Sequence, residues 1–272
     1  MFNNEIAVIS GRNSKDYGVY LINGNIFDKP KRVVEYISVP GRSGDLTIDK
    51  GRWENIDITY TFAAYDNAIE RLQNWIAFLN ANIGYQTIET SLEPELYRQG
   101  VLREISSPQI SMTGGGVVDV VFSCKPQRWL KTNEPINIKT SGTTGTIKIT
   151  NPTMYNARPL FHVKAVQDSA DMNIWNYILG NDGSLTTASR YTLRVRTSAE
   201  VWVDCETGQA YNGSTNYNQS VYFADITGQD DDIAMIMGNK TPDTMSYVVY
   251  TTIMAPSGEF SIAQMDPRWW TI

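Results

Sequence analysis

Histidine occurs once in these 272 residues and cysteine twice. The single imidazole, His162, sits between Phe161 and Val163 in a segment that reads as a strand, where a lone histidine packs or hydrogen-bonds more often than it catalyses. With no second histidine and with Cys124 and Cys205 far apart, neither a CxxC pair nor a zinc site of ordinary spacing can be drawn up, and both thiols are expected to be free and reduced. Basic surplus is also missing. Lys and Arg number 23 against 29 Asp and Glu, divided 14 to 16 in residues 1–135 and 9 to 13 in the remainder. Neither half therefore has the positive field with which a nucleic-acid or anionic-membrane binder displaces counterions. No apolar run approaches the roughly 18 residues that a membrane-spanning helix needs, and Met1 to Ser10 has no basic n-region followed by an apolar core. The expectation is a chain that folds and assembles in the cytosol, so the sequons at Asn212, Asn218 and Asn239 are read as accidents of a composition rich in Asn, Ser and Thr.

What is present is apolar material for sizeable cores, 42% of the residues, in a length that suggests two domains. From Trp53 to Phe62, Ile56, Ile58, Tyr60 and Phe62 alternate with Asp57, Thr59 and Thr61, the two-residue period of a half-buried strand. Val117 to Phe122 follows the run Gly114–Gly116, which favours a hairpin back to Gln109–Met112. Further strands are expected at 6–9, 17–22, 33–39, 85–90 and 97–105. One helix is expected, from Asn67 to Asn82, with Ile69, Leu72, Trp75 or Ile76, and Leu79 at three- and four-residue intervals. Asp66 or Asn67 can cap it, with Glu70 in capping-box register, and Gly84 can end it. The cluster of Trp75, Phe78 and Leu79 packs the helix over the mouth of a sheet or barrel or meets another subunit, and the two roles can coexist.

Between Leu130 and Thr146 the pattern dissolves into Thr, Ser, Gly and Asn, which places a domain boundary near 133–140 and two domains at 1–135 and 136–272. Beyond it, short apolar runs recur at 147–150, 160–166, 174–179, 191–195, 201–204, 220–223, 233–237, 247–253 and 260–262, with turn signals between them. That rhythm argues for an antiparallel sandwich. The fold class is therefore mainly β: an α+β N-terminal domain, a barrel or sheet with one helix and a hairpin arm, followed by a β-sandwich.

Candidates for chemistry are few. Asp230–Asp232 with Asp225 could attract Ca²⁺, but the patch lacks EF-hand spacing and reads better as a solvated loop. Gly238-Asn-Lys-Thr241 imitates the end of a P-loop without its earlier glycine. Asp204 and Glu206 fall on one face of a strand and could in principle serve a glycosidase; an exposed strand end is the simpler account. No cofactor or metal is expected, and no enzyme. Tyr and Trp together number 22, and Trp175, Tyr177, Tyr191, Trp202, Tyr211, Tyr217 and Tyr222 lie in the second half. They leave open a second reading, a lectin-like carbohydrate-binding sandwich, against core and interface packing.

Three runs carry a resemblance: Lys31–Leu46 (KRVVEYISVPGRSGDL), Phe122–Trp129 (FSCKPQRW) and Pro267–Trp270 (PRWW). In type and order they resemble the distal tail protein (Dit) family of long-tailed, non-contractile bacteriophages. Asn151-Pro-Thr, Ala157-Arg-Pro159 and Val203-Asp-Cys205 with Tyr211 follow the family's second, galectin-like domain. Phe223-Ala-Asp-Ile departs from an expected Phe-Pro-x-Leu and leaves that loop's conformation open. The resemblance implies a structural hub in which six copies form a ring through residues 1 to about 135, around a channel for DNA. The tail tube protein would lie on one side and a tail-tip protein on the other, with sandwiches projecting outward as a platform for receptor-binding proteins. It implies a virion location at the distal end of the tail, and no specific nucleic-acid binding or membrane insertion. Within 34–46, strand alternation followed by Pro40-Gly41 and Gly44-Asp45 makes an extended arm plausible. Such an arm would gain order across a neighbouring protomer, with Tyr36, Pro40, Arg42, Asp45, Leu46 and Trp75 as candidate contacts. Arg42 could meet a neighbour's carboxylate or simply hold a turn. Cys124, Pro126, Arg128 and Trp129 mark the candidate exit from the ring domain, with Pro126 expected to end strand pairing.

Overall fold

The computed structural model describes residues 5–138, 145–179, 182–227, 236 and 247–272. The acidic run 230–232, the segment 238–241 and most of the strand expected at 233–237 lie outside them. The protein is mainly β and antiparallel, with a single α-helix among the described residues. It divides into two compact units, one running to Lys131 and including Ile272, the other from Thr132 to Thr271.

The first unit is built on a curled antiparallel sheet. Its strands are β1 (Ala7–Ile9), β2 (Arg12–Asn13), β3 (Tyr20–Gly24), β6 (Ile56–Ala64), β7 (Gln86–Thr90), β8 (Leu96–Ile105) and β10 (Gly116–Leu130), in the order β2-β1-β7-β8-β10-β6-β3. A short β9 (Gln109–Ile110) also pairs with β10. Alternation in β6 is realised: Ile56, Ile58, Tyr60 and Phe62 are buried and lie beside their cross-strand partners Cys124, Phe122, Val120 and Val118 of β10 on one core-facing side of the sheet. Trp53, however, ends the preceding strand; the chain turns at Glu54-Asn55 before β6 begins. Helix α1 (Ala68–Ala81) closes the core, burying Ala68, Leu72, Trp75 and Leu79 at helical spacing. Its N-cap differs from expectation. Asn67 adopts a left-handed conformation (φ 49°) and its side chain bonds Glu70 rather than a backbone N–H. The αL position satisfies the chain's change of direction, which leaves the amide to pair with the carboxylate instead.

Pro126 does not end β10. The β8 ladder runs through Cys124↔Gly100, skips, and resumes at Arg128↔Arg98, Trp129↔Tyr97 and Leu130↔Leu96. A bulge absorbs the missing N–H, which is one of the few ways a strand tolerates proline. Gly100 stands at the crowded centre of this region, where an added Cβ would lie 2.8 Å from Cys124 Sγ and 3.0 Å from Ile88 Cδ1.

Two further strands of this unit leave the curled sheet altogether. Among the described residues β4 (Arg32–Ile37) and β5 (Leu46–Trp53) pair only with each other, as a two-stranded ribbon.

The second unit consists of two antiparallel sheets, each with one buried face. One has the order β11 (Ile136–Asn137), β21 (Phe260–Asp266), β13 (Leu160–Ala165), β16 (Glu200–Asp204), β17 (Gln209–Asn212) and β18 (Thr215–Asn216). The other runs β12 (Gly145–Ile149), β20 (Tyr247–Ala255), β14 (Ala170–Leu179), β15 (Leu185–Val195) and β19 (Val221–Thr227). Phe161, Val163, Val201, Val203, Ala263 and Met265 line the first inner face, and Met172, Ile174, Tyr191, Leu193, Val195 and Ile253 the second. Two sheets with one apolar face each bury them against one another, the β-sandwich solution. Buried Asn176 is satisfied within its sheet, donating to Ser189 Oγ at 2.7 Å and accepting from Thr251 Oγ1 at 2.6 Å. The segment with Phe223-Ala-Asp-Ile is strand, not loop. Asp225 takes φ 50° at a bulge against β15, where its carboxylate pairs with Arg194 at 2.7 Å.

Candidate functional site

The ribbon holds five of the six candidate contacts. Its register, Ile37↔Leu46, Tyr36↔Thr47, Glu35↔Ile48 and Val34↔Asp49, splits the side chains into two faces. One face carries Tyr36, Thr47, Val34, Asp49 and Arg32; it is partly self-satisfied, because Arg32 pairs with Asp49 at 2.5 Å and lies 5.4 Å over the Trp53 ring. The other carries Ile37, Leu46, Ile48 and Glu35, with the Glu35–Lys50 ion pair at its root end. Ile37, Val39, Leu46 and Ile48 are all 38–42% exposed, and Tyr36 reaches 67%. At the tip, Arg42 N–H donates to Val39 O at 3.2 Å across Pro40-Gly41, and Gly41 has φ 81°. Proline then a positive-φ glycine at the central positions is the signature of a type II turn. Pro40, Arg42 and Asp45 are exposed, and among the described residues neither Arg42 nor Asp45 has an ion-pair partner. Near the root, a bulge that includes Gly51 (φ 68°) lets Arg32, just before Val33-Val34, oppose Trp53, although Val34 opposes Asp49 and a regular ladder would put Arg32 against Gly51.

Trp75 is a correction. It is fully buried, its ring 5.3–5.4 Å from those of Tyr17, Phe62 and Phe78, and so offers no surface to another subunit. A tryptophan on the inward stripe of a lone helix fills the core before it can serve an interface.

The residues expected at the domain exit are packed into β10. Cys124 is buried under Gly100, and burial pushes its thiol up to about 12. Trp129 stacks on Tyr97 at 5.7 Å. Arg128 donates to Glu93 Oε1 at 3.0 Å, and the same carboxylate receives Arg98 Nε at 2.8 Å and Nη2 at 3.0 Å. Arg98 is almost wholly buried and also donates to Ile26 O at 2.8 Å, thereby fixing the turn that precedes the ribbon. Sequence reading missed Glu93 and Arg98, because charged residues in polar surroundings give no signal of burial.

The second unit places the remaining candidates. His162 lies flat on Trp202, ring centroids 4.4 Å apart, with Nε2 2.7 Å from Glu200 Oε1. Asp204 is less open than an exposed strand end: its side chain is 14% exposed and receives Arg268 Nη1 at 2.8 Å, with Glu206 3.7 Å from the same nitrogen. Two carboxylates sharing one guanidinium do not flank a cleft. The seven tryptophans are similarly occupied. Trp75 and Trp269 are buried; rings or cations cover Trp53 (Arg32), Trp129 (Tyr97), Trp175 (Arg190), Trp202 (His162) and Trp270 (Tyr155). Among the described residues no group of three His, Cys, Asp or Glu is placed to hold a metal ion, and no helix is long and apolar enough to cross a membrane.

No protein-family model and no curated protein matches the chain. Solved structures do. The Dit protein of phage SPP1, described as a paradigm of the hub adsorption apparatus in phages infecting Gram-positive bacteria, superposes with a TM-score of 0.58 at 12% identity, over 93% of this chain and 99% of its own. The fold is that of the SPP1 Dit hub. A chain of the phage P2 baseplate in its activated conformation with Ca gives a TM-score of 0.51 at 8% identity, with 96% of each chain covered. The likeness extends through both units, and it is a likeness of backbone far more than of residues.

Proposed function

We propose that this chain is a structural phage tail protein, the distal hub that joins tail tube to tail tip. In this reading the first unit closes into a homohexameric ring around a channel for DNA. The sandwich is an outward platform for receptor-binding proteins, and the protein is synthesised in the host cytoplasm and carried in the virion. The observation that carries it is the free-standing ribbon of residues 32–53. An isolated two-stranded hairpin is marginal in water, and this one keeps apolar side chains bare along one side. A structure that persists in that state fits a contact made in an assembly. A closed ring requires two unlike complementary surfaces on each copy, and a projecting arm is one of them. The mildly acidic charge balance suits a wall that DNA passes without adhering. No separate catalytic role is assigned: the carboxylates nearest to a glycosidase pair are clamped by Arg268, and the covered tryptophan faces disfavour stacking on sugars.

Native mass spectrometry of the purified chain, alone and with the tube and tail-tip proteins of the same phage, tests the reading. Six-copy particles are expected. A strict monomer under every one of these conditions refutes it.

A further inference from the structure

The first unit has an open cavity of about 440 Å³ at the C-terminal end of β6, lined by Ala63, Ala64, Tyr65, Ile110, Gly116 and Val117 among others. Its rim mixes exposed apolar groups with polar ones: Tyr65 and Ile110 are exposed, and Met112, fully exposed, stands between the lining residues Ser111 and Thr113, with Gln109 beside them. The rim loop is tied shut by Ser111 N–H to Gly115 O at 2.8 Å and by the Ser111–Thr113 hydroxyl pair at 2.7 Å, so the opening is held in place. A comparable cavity of about 480 Å³ in the same unit includes Arg103, Glu104, Ser106 and Ser107 in its wall and is mostly polar.

We propose that the cavity beside Tyr65, Ile110 and Met112 receives the bare ribbon face, Ile37, Val39, Leu46 and Ile48, of a second copy of this chain. The inference rests on the ring reading and names its two surfaces. The ribbon face is apolar, the cavity rim presents exposed Tyr65, Ile110 and Met112 among hydroxyls, and both belong to one unit. They are attached to opposite ends of the same strand: the ribbon leaves at Glu54-Asn55, just before β6, and the cavity opens where β6 ends, about 27 Å away at the rise of a strand. Donor at one end and acceptor at the other is the layout that propagates head to tail and closes if the rotation allows. A symmetric pairing of two ribbons would leave the cavity empty and stop at two copies. The opposite ribbon face, with the Arg32–Asp49 pair and Arg32 over Trp53, already satisfies its charges and would remain outward.

Cross-linking decides. Leu46→Cys and Met112→Cys chains are purified separately, mixed, assembled and treated with a short bis-maleimide; native Cys124 and Cys205 are buried and do not compete. The expected result is a linked dimer at least tenfold more abundant in the mixture than in either variant alone, with Tyr36→Cys in place of Leu46→Cys giving little. Rings by native mass spectrometry without this cross-link, or with equal linking through Tyr36→Cys, overturn the inference and leave the ring reading intact. Linking within one chain of the Leu46→Cys/Met112→Cys double variant at high dilution overturns it in favour of a self-docked ribbon. A protein that never forms rings, even with its tail partners, overturns both. Leu46→Glu, on an exposed side chain, is expected to weaken assembly at least tenfold with unchanged circular dichroism, whereas Thr47→Lys on the other face is expected to assemble normally.

Discussion

Replacing Glu93 by glutamine puts the buried charge cluster of the first unit to the test. Among the described residues Glu93 is the only carboxylate paired with Arg98, which is 3% exposed, and it also holds Arg128. Glu93→Gln keeps the shape and one acceptor oxygen but removes the charge, leaving two guanidiniums facing each other in a poorly solvated place. Breaking one partner of a buried pair costs about 3–5 kcal/mol, and the retained oxygen argues for the lower end, about 3 kcal/mol. At a urea m-value of about 1–3 kcal/mol/M, the unfolding midpoint followed by tryptophan fluorescence should fall by about 1–3 M. Glu89→Gln is the matched control. Its partner Lys131 is also 3.0 Å away, but both side chains are roughly a third exposed, and an exposed pair contributes about 1 kcal/mol or less. Equal shifts for the two variants would refute the claim that burial, and not pairing as such, sets the energy.

Four further outcomes follow from the packing. Burial holds Cys124 near 12 and raises Cys205 well above the ordinary thiol range, so neither should react with a thiol reagent at neutral pH until the chain is unfolded in urea. Since the folded thiols resist ionisation, the stability they contribute is complete below the ordinary value of about 9 and is lost as pH climbs from there toward 12; a Cys124→Ser variant should show a shallower alkaline loss in melting temperature. Gly100→Ala pushes a methyl group toward Cys124 Sγ and Ile88 and should destabilise by about 1–3 kcal/mol by urea titration. Asp266 is raised by burial, partly offset by the Arg268 N–H and guanidinium. A raised carboxylate burdens the fold above its folded value and is relieved as pH falls through it. Asp266→Asn should therefore melt higher than the natural chain near pH 7, with the gain shrinking toward acid pH.

The legible parts of this chain are those where burial imposes a period. β6 shows one buried face and one solvated face and reads directly as alternation; α1 shows its stripe in Leu72, Trp75 and Leu79. The return strand of the ribbon, Leu46-Thr-Ile-Asp-Lys-Gly-Arg-Trp53, is exposed along most of its length, so nothing sorts its residues by face and only its partner strand was readable. β17 and β18 are short and polar and escaped notice for the same reason. Pro126 was legible as an interruption but not as a bulge, because resumption at Arg128 depends on Tyr97 and Arg98 far away in sequence. At the candidate site, the tip turn of the arm could be read from Pro40-Gly41, whereas the cavity could not: its walls come from the ends of separate strands, and its apolar rim is scattered among glycines and hydroxyls.

The ribbon is a cantilever. Its root is closed by Glu54 N–H on Lys31 O at 2.8 Å, and the turn before it is bolted to Arg98 through Ile26 O, while among the described residues no strand pairs with the far end. A beam fixed this way has its aim set before any encounter, and only the last few side chains remain to be adjusted on contact. In the proposed docking on a second copy, the entropy surrendered would be that of a tip and not of a whole segment. Substitutions at Glu93 or Arg98, deep inside the sheet and remote from any partner, would accordingly be felt as a loss of aim.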